Sequence, residues 1–175
     1  MNVAVVALGR IGLPLAVQFA SMGHRVFGTD IDADRVAMVN AGVAPFPGEA
    51  NLAEKLAEVV GEGLLTATTD TAAAVAKCEV VVVVVPLSIN PEGAPGFARL
   101  DAATHAVARG LQQGTLVSYE TTLPVGTTRT RFGPMLSEGS GLMLGEGFSL
   151  VFSPERVFAG RVFADLRRYP KLVGG

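Results

Sequence analysis

The chain has 175 residues, the size of one globular domain, and its 14 Lys+Arg against 16 Asp+Glu leave a net charge of −2. That balance gives no strong field for nucleic acid or an anionic membrane. Apolar residues at 49% and charged residues at 17% exclude a disordered chain, while one cysteine and two histidines exclude a disulfide framework and argue against a metal centre.

Val3–Leu8 opens the chain as a β-branched run without a basic leader or cleavage site before it. The valine run Val80–Val85 is far shorter than the roughly 20 residues that cross a bilayer, so the expected setting is soluble, reducing and cytoplasmic. In chain order, Val3–Leu8 predicts a strand, Leu13–Ala20 a helix with Pro14 in its first turn, and Arg25–Thr29 a second strand. Asp32–Ala41 predicts a helix closed by Gly42, Leu52–Val60 another, and Leu64–Thr68 a third strand. Asp70 suits the N-cap of an alanine-rich helix, Thr71–Lys77.

Val80–Val85 has no polar alternation, as in strands buried on both faces of a parallel sheet. Pro86–Gly96, with three prolines and two glycines, reads as a long loop. A helix over Leu100–Leu111, a strand Thr115–Tyr119, a helix Thr127–Leu136 and a strand Phe148–Phe152 follow, and Leu172–Val173 is expected to start a last strand. Five of the 14 cationic side chains fall in Arg156–Lys171, the one shift in composition. Strand and helix alternate about six times, which predicts an α/β fold: a Rossmann-type doubly wound, mostly parallel sheet with helices on both faces.

The first strand runs into Ala7-Leu8-Gly9-Arg10-Ile11-Gly12, the dinucleotide fingerprint G-x-G-x-x-G with alanine for its first glycine. Gly9 lets backbone approach a pyrophosphate, Gly12 lets helix pack on strand, and the helix N-terminus offers N–H groups and positive dipole. Glycine pairs also occur in ligand-free β–α turns. Asp30, however, ends the next strand 21 residues beyond Gly9, where a carboxylate meets ribose hydroxyls and repels a 2′-phosphate. NAD is therefore expected over NADP, although Arg35, five residues on, is placed to stack on adenine or meet a phosphate.

Asp32 and Asp34 read as a cap and a solvated first turn, His24 as a turn residue, and His105 as an exposed or structural helix residue. Cys78 precedes the valine strand, at the N-terminal edge of the sheet, and reads as a buried inert thiol. Glu120–Thr128 and Ser153–Val157 each follow a strand at its carboxyl end, where α/β enzymes place chemistry. A threonine hydroxyl facing a carboxylate holds a water and moves its proton, but capping and turn chemistry account for the same spacing equally well.

Six blocks in order resemble the UDP-glucose/GDP-mannose dehydrogenase family in its N-terminal NAD-binding domain. They are Gly9–Ala16, Thr29–Asp32 with Arg35-Val36, the valine strand into Pro86, Glu120–Thr127, Ser153–Val157 and Pro170–Gly175. The resemblance implies that Leu8, Gly9, Arg10, Ile11 and Gly12, with Asp30 and Arg35, hold NAD, and that Val85, Pro86, Glu120, Thr121 and Thr122 line its nicotinamide side. It implies a water-orienting role for Thr122, a general acid/base role for Glu155, and oxidation of the C6 alcohol of a UDP-sugar to the uronate in two hydride transfers. No metal is implied.

Arg156 and Gly160 are similar to the branch acting on UDP-N-acetylhexosamines such as UDP-N-acetylmannosamine, where the UDP-glucose branch has a bulky apolar residue at Arg156. Ala7 and Leu87 depart from the family, Leu87 standing where it has threonine. The family's nucleophilic cysteine does not match Cys78. Residues 1–175 are thus expected to be the NAD-binding domain, without the central helix that builds the family's homodimer and without its C-terminal substrate domain, and inactive alone. A degenerate nucleotide-binding module and an S-adenosylmethionine methyltransferase are the alternatives the residues leave open.

Overall fold

The computed structural model describes residues 1–175. Six strands form one wholly parallel sheet in the order β3-β2-β1-β4-β7-β8. They are β1 (Asn2–Val6), β2 (Arg25–Thr29), β3 (Leu65–Thr68), β4 (Val80–Val83), β7 (Thr115–Tyr119) and β8 (Phe148–Phe152). The chain fills one side of β1 first and then crosses to the other. The strand order therefore reverses between β1 and β4, the switch point at whose carboxyl ends open α/β sheets place their binding crevice.

Alternation along β1 explains why its run is continuously apolar. Val3 and Val5 face one core with Leu13, Val17, Leu56 and Phe163, while Ala4 and Val6 face the other with Leu100, Val107, Phe132 and Leu136. Helices cover both faces: α1 (Gly12–Ser21), α2 (Ala33–Asn40), α3 (Leu52–Gly61), α4 (Thr71–Val75), α5 (Ala98–Gly110), α6 (Gly133–Ser140) and α7 (Val162–Arg168). Each fully buried valine on these faces contributes about 1.5–3 kcal/mol.

Local chemistry sets the helix ends. The Asp32 carboxylate accepts from the Asp34 and Arg35 amides at 3.1 Å, and Asp70 accepts from the Ala73 amide at 3.0 Å. Gly42 follows α2 at φ +71°, the left-handed stop its sequence position implies. Cys78 lies in the core with its Sγ donating to the Ala74 carbonyl, and His105 is exposed.

Four expectations change. The 86–96 segment is not a plain loop but carries a small antiparallel hairpin, β5 (Ser88–Ile89) with β6 (Pro95–Gly96). The helix expected over Thr127–Leu136 divides into a π-helical turn, Thr128–Phe132, and α6, because Pro134 lacks the amide to continue the first ladder. Leu172–Val173 starts no strand; the chain makes one antiparallel bridge there, Gly174 to Phe152, and turns exposed. Helix α7 was not expected at all. No helix is long and apolar enough to cross a membrane.

Candidate functional site

The turn from β1 into α1 lies at the strand-order reversal. Ala7 takes φ +79° and donates its amide to the Thr29 carbonyl at 2.8 Å, so the first fingerprint position is left-handed even though it is not glycine. A Cβ on Gly12 would run into the Ala7 carbonyl and stand 2.8 Å from Val84 Cγ2, so only glycine fits where α1 passes the strand. Gly9 is the opposite case: a Cβ there meets nothing within 4 Å. Its open side is space for a ligand.

The backbone amides of Gly9, Arg10 and Ile11 have no acceptor in the protein. Three unpaired donors at the positive end of a helix suit a pyrophosphate. Arg10 itself leans away, donating to the Pro47 carbonyl at 3.1 Å with its guanidinium 5.3 Å from the Phe46 ring centre. The Leu8 side chain is buried in the core and its amide donates to Asp30 Oδ2 at 2.8 Å. Leu8 therefore positions Asp30 and keeps no donor for a cofactor.

Asp30, buried at the end of β2, also accepts from the Asp32 amide at 3.0 Å on Oδ1 and from Arg35 Nη1 at 2.9 Å on Oδ2. Three of about four acceptor positions are thus filled within the protein, and the one left open is on Oδ1. Arg35 is held by Asp30 and by Asp32 at 3.3 Å, so its guanidinium is engaged with both carboxylates.

Across the crevice, the loops after β4, β7 and β8 are stitched together. Thr121 Oγ1 donates to the Val85 carbonyl at 2.7 Å, and the Glu155 amide donates to the Glu120 carbonyl at 2.9 Å. Val85 is buried, while Pro86 and Thr122 are exposed, with the Thr122 hydroxyl free of any protein partner. The Thr127 hydroxyl closes the following turn onto the Pro124 carbonyl at 2.7 Å.

The Glu120 side chain is buried. It accepts from Ser118 Oγ at 3.3 Å and from Lys171 Nζ at 2.7 Å. Burial pushes its pKa up, and the Lys171 charge with the hydrogen bonds from Lys171 and Ser118 partly offsets that. Lys171 also pairs with Glu155, whose side chain is 9% exposed. The sequence blocks contain Lys171 but gave it no role, since nothing local marks a lysine before an apolar pair as the partner of two distant carboxylates.

Cys78 stands at the opposite end of the sheet, and burial pushes its thiol up to about 12. It takes no part in the crevice. No group of three His, Cys, Asp or Glu side chains is arranged to hold a metal ion.

Comparison with known proteins matches this architecture. The family model described as the UDP-glucose/GDP-mannose dehydrogenase family, NAD binding domain, matches residues 1–175. The chain is 35% identical to the UDP-N-acetyl-D-mannosamine dehydrogenase of Pyrococcus horikoshii over 175 residues, covering 100% of the chain and 41% of that protein. It is 34% identical over 160 residues to a UDP-N-acetyl-D-glucosamine 6-dehydrogenase of Pseudomonas aeruginosa, covering 91% and 36%. The crystal structure of an NDP-N-acetyl-D-galactosaminuronic acid dehydrogenase from Methanosarcina mazei superposes with a TM-score of 0.94 at 31% identity, covering 99% of this chain and 38% of that one. The chain spans about two-fifths of the length of these relatives.

Proposed function

The chain belongs to the UDP-glucose/GDP-mannose dehydrogenase family as its NAD-binding domain, and from that premise we propose that it is the cofactor-holding part of a nucleotide-sugar 6-dehydrogenase. The methyltransferase alternative falls with that membership. The substrate we assign is a UDP-N-acetylhexosamine before UDP-glucose, which the activities named for the Pyrococcus and Pseudomonas relatives support. A homodimer, a further substrate-binding part and a cytoplasmic setting belong to the same reading.

The observation that carries it is the unpaired trio of amides at Gly9, Arg10 and Ile11, together with the open space at the Cβ position of Gly9. Those donors fit a pyrophosphate, and Asp30 with its one free acceptor position fits the adenosine ribose. NAD held there would accept a hydride, and two NAD molecules in succession would be reduced for each alcohol taken to a carboxylate. Glu155 receives the proton as the substrate hydroxyl is oxidised, and the free hydroxyl of Thr122 orients a water beside it. Cys78, buried at the far end of the sheet, is not a nucleophile for the second oxidation.

Calorimetry with NAD, NADH and NADP tests the cofactor assignment: binding of NAD and NADH in preference to NADP is expected. Incubation of the chain with NAD and UDP-N-acetylmannosamine should produce no NADH absorbance, and sustained production would overturn the reading of this chain as inactive alone. Ala7, left-handed where glycine is free of strain, favours one second reading, a degenerate module. Absence of heat with all three nucleotides would select it.

A further inference from the structure

Lys171 reaches the acid–base residues from outside both segments that carry them. It follows α7, and the chain there is pinned to β8: the Ser153 hydroxyl donates to the Leu172 carbonyl at 2.7 Å, and Phe152 and Gly174 form their antiparallel bridge one step further on. Its ammonium then lies between two carboxylates, donating to Glu120 Oε2 at 2.7 Å and pairing with Glu155 Oε1. Both side chains are nearly inaccessible, 5% and 9% exposed, while Lys171 at 41% covers them on the solvent side.

The triangle is rigid on two of its sides. Glu120 is held by Ser118 Oγ, and its own backbone carbonyl accepts the Glu155 amide at 2.9 Å. The other nearby cation, Arg156, is turned over the Tyr169 ring, 5.8 Å from its centre, and pairs with neither carboxylate. One ammonium therefore serves two buried acids, and each acid weakens its hold on the other. A carboxylate this far from water keeps its charge only beside a cation.

We propose that Lys171 is the positioning residue of the acid–base site, holding Glu155 as a carboxylate at the crevice while Glu120 anchors the ammonium from behind. The role rests on the reading of Glu155 as the group that takes the substrate proton. Glu120 acts as a ballast in this arrangement: it fixes where the ammonium sits and competes for its charge, so Glu155 is held ionised without being locked to Lys171. A lysine that merely clamped residues 170–175 onto β7 would leave the proton affinity of Glu155 to burial alone.

Carboxyl carbon-13 NMR titration of the 175-residue chain separates the two roles. In Lys171→Met, Glu155 is expected to bind its proton about tenfold more tightly or more, and Lys171→Arg restores most of the original midpoint. In Glu120→Gln, where the cation is undivided and a neighbouring negative charge is gone, the Glu155 midpoint moves the other way. An unchanged Glu155 titration in folded Lys171→Met overturns the proposal. If Lys171→Met does not fold, an unmoved or raised midpoint in Glu120→Gln overturns it equally. NAD calorimetry on the same samples keeps the two readings apart: a chain with the expected Glu155 shifts but no NAD binding supports the role of Lys171 toward Glu155 and removes the cofactor reading.

Discussion

The side-chain carboxamide of Asn40 pairs with the backbone of Ala67 as a neighbouring strand would: Nδ2 donates to the Ala67 carbonyl at 2.9 Å, and Oδ1 accepts its amide at 2.7 Å. Asn40 ends α2, and Ala67 lies on β3, the outer strand of the sheet. One side chain thus covers the Ala67 donor and acceptor on an edge where they would otherwise be open to another chain. Asn40→Ala should cost about 1–2 kcal/mol of stability and promote concentration-dependent association. Urea unfolding and sedimentation velocity check this; a variant as stable and as monodisperse as its parent would show the edge is guarded by something else.

The two fingerprint glycines should fail differently. Gly12→Ala forces a methyl group into the Ala7 carbonyl and against Val84, so several kcal/mol of stability are lost. Gly9→Ala meets no protein atom, so the fold stays as stable while NAD binding weakens about tenfold or more. Thermal unfolding paired with NAD calorimetry reads both. Strong NAD binding by Gly9→Ala would mean the pyrophosphate lies elsewhere.

Ala7 carries strain of its own. A left-handed alanine costs about 1–2 kcal/mol, and the extra freedom of glycine in the unfolded chain returns about 0.5–1 kcal/mol of that. Ala7→Gly should therefore stabilise the chain by about 0.5–1 kcal/mol, read as a higher urea midpoint at unchanged slope. A lower midpoint would place the strain elsewhere.

Cys78 predicts the alkaline limb of stability. Its thiol is raised from 9.0 to about 12, chiefly by burial. The folded chain therefore holds a proton that the unfolded chain releases, and stability falls as pH rises from about 9 toward 12. Cys78→Ala should flatten that decline, and in the native protein a thiol-reactive dye should label Cys78 only as fast as the chain opens. Rapid labelling at neutral pH would contradict its burial.

Where chemistry is local, the sequence alone located it. Arg25–Thr29, Thr115–Tyr119 and Phe148–Phe152 are strands to the residue, because β-branched and aromatic runs bounded by turns leave no competing period. The caps Asp32 and Asp70 and the stop at Gly42 follow from neighbours within four positions. What escaped notice depends on distant partners. Helix α7 has seven residues and no capping side chain of its own; its first amide donates to Glu49, 113 positions away. Lys171 meets Glu120 across 51 positions, and Asp30 gives half of its acceptor positions to Leu8 and Arg35, neither of which announces the bond in its spacing. The site was legible as a set of loops, and its charge balance was not.

The Glu49 carboxylate accepts from the amides of Gly160, at 2.6 Å, and Val162, at 2.8 Å. Those bonds close loops of 111 and 113 residues, far longer than the steps that build each β–α unit. During folding, such contacts pay only after the sheet has brought both ends together, so α7 docks late. Residues 153–171, which bear Glu155 and Lys171, are then the last part to gain protection in a refolding hydrogen-exchange experiment, well after β1 and β4. The nucleotide turn would be ready before the acid–base pair exists.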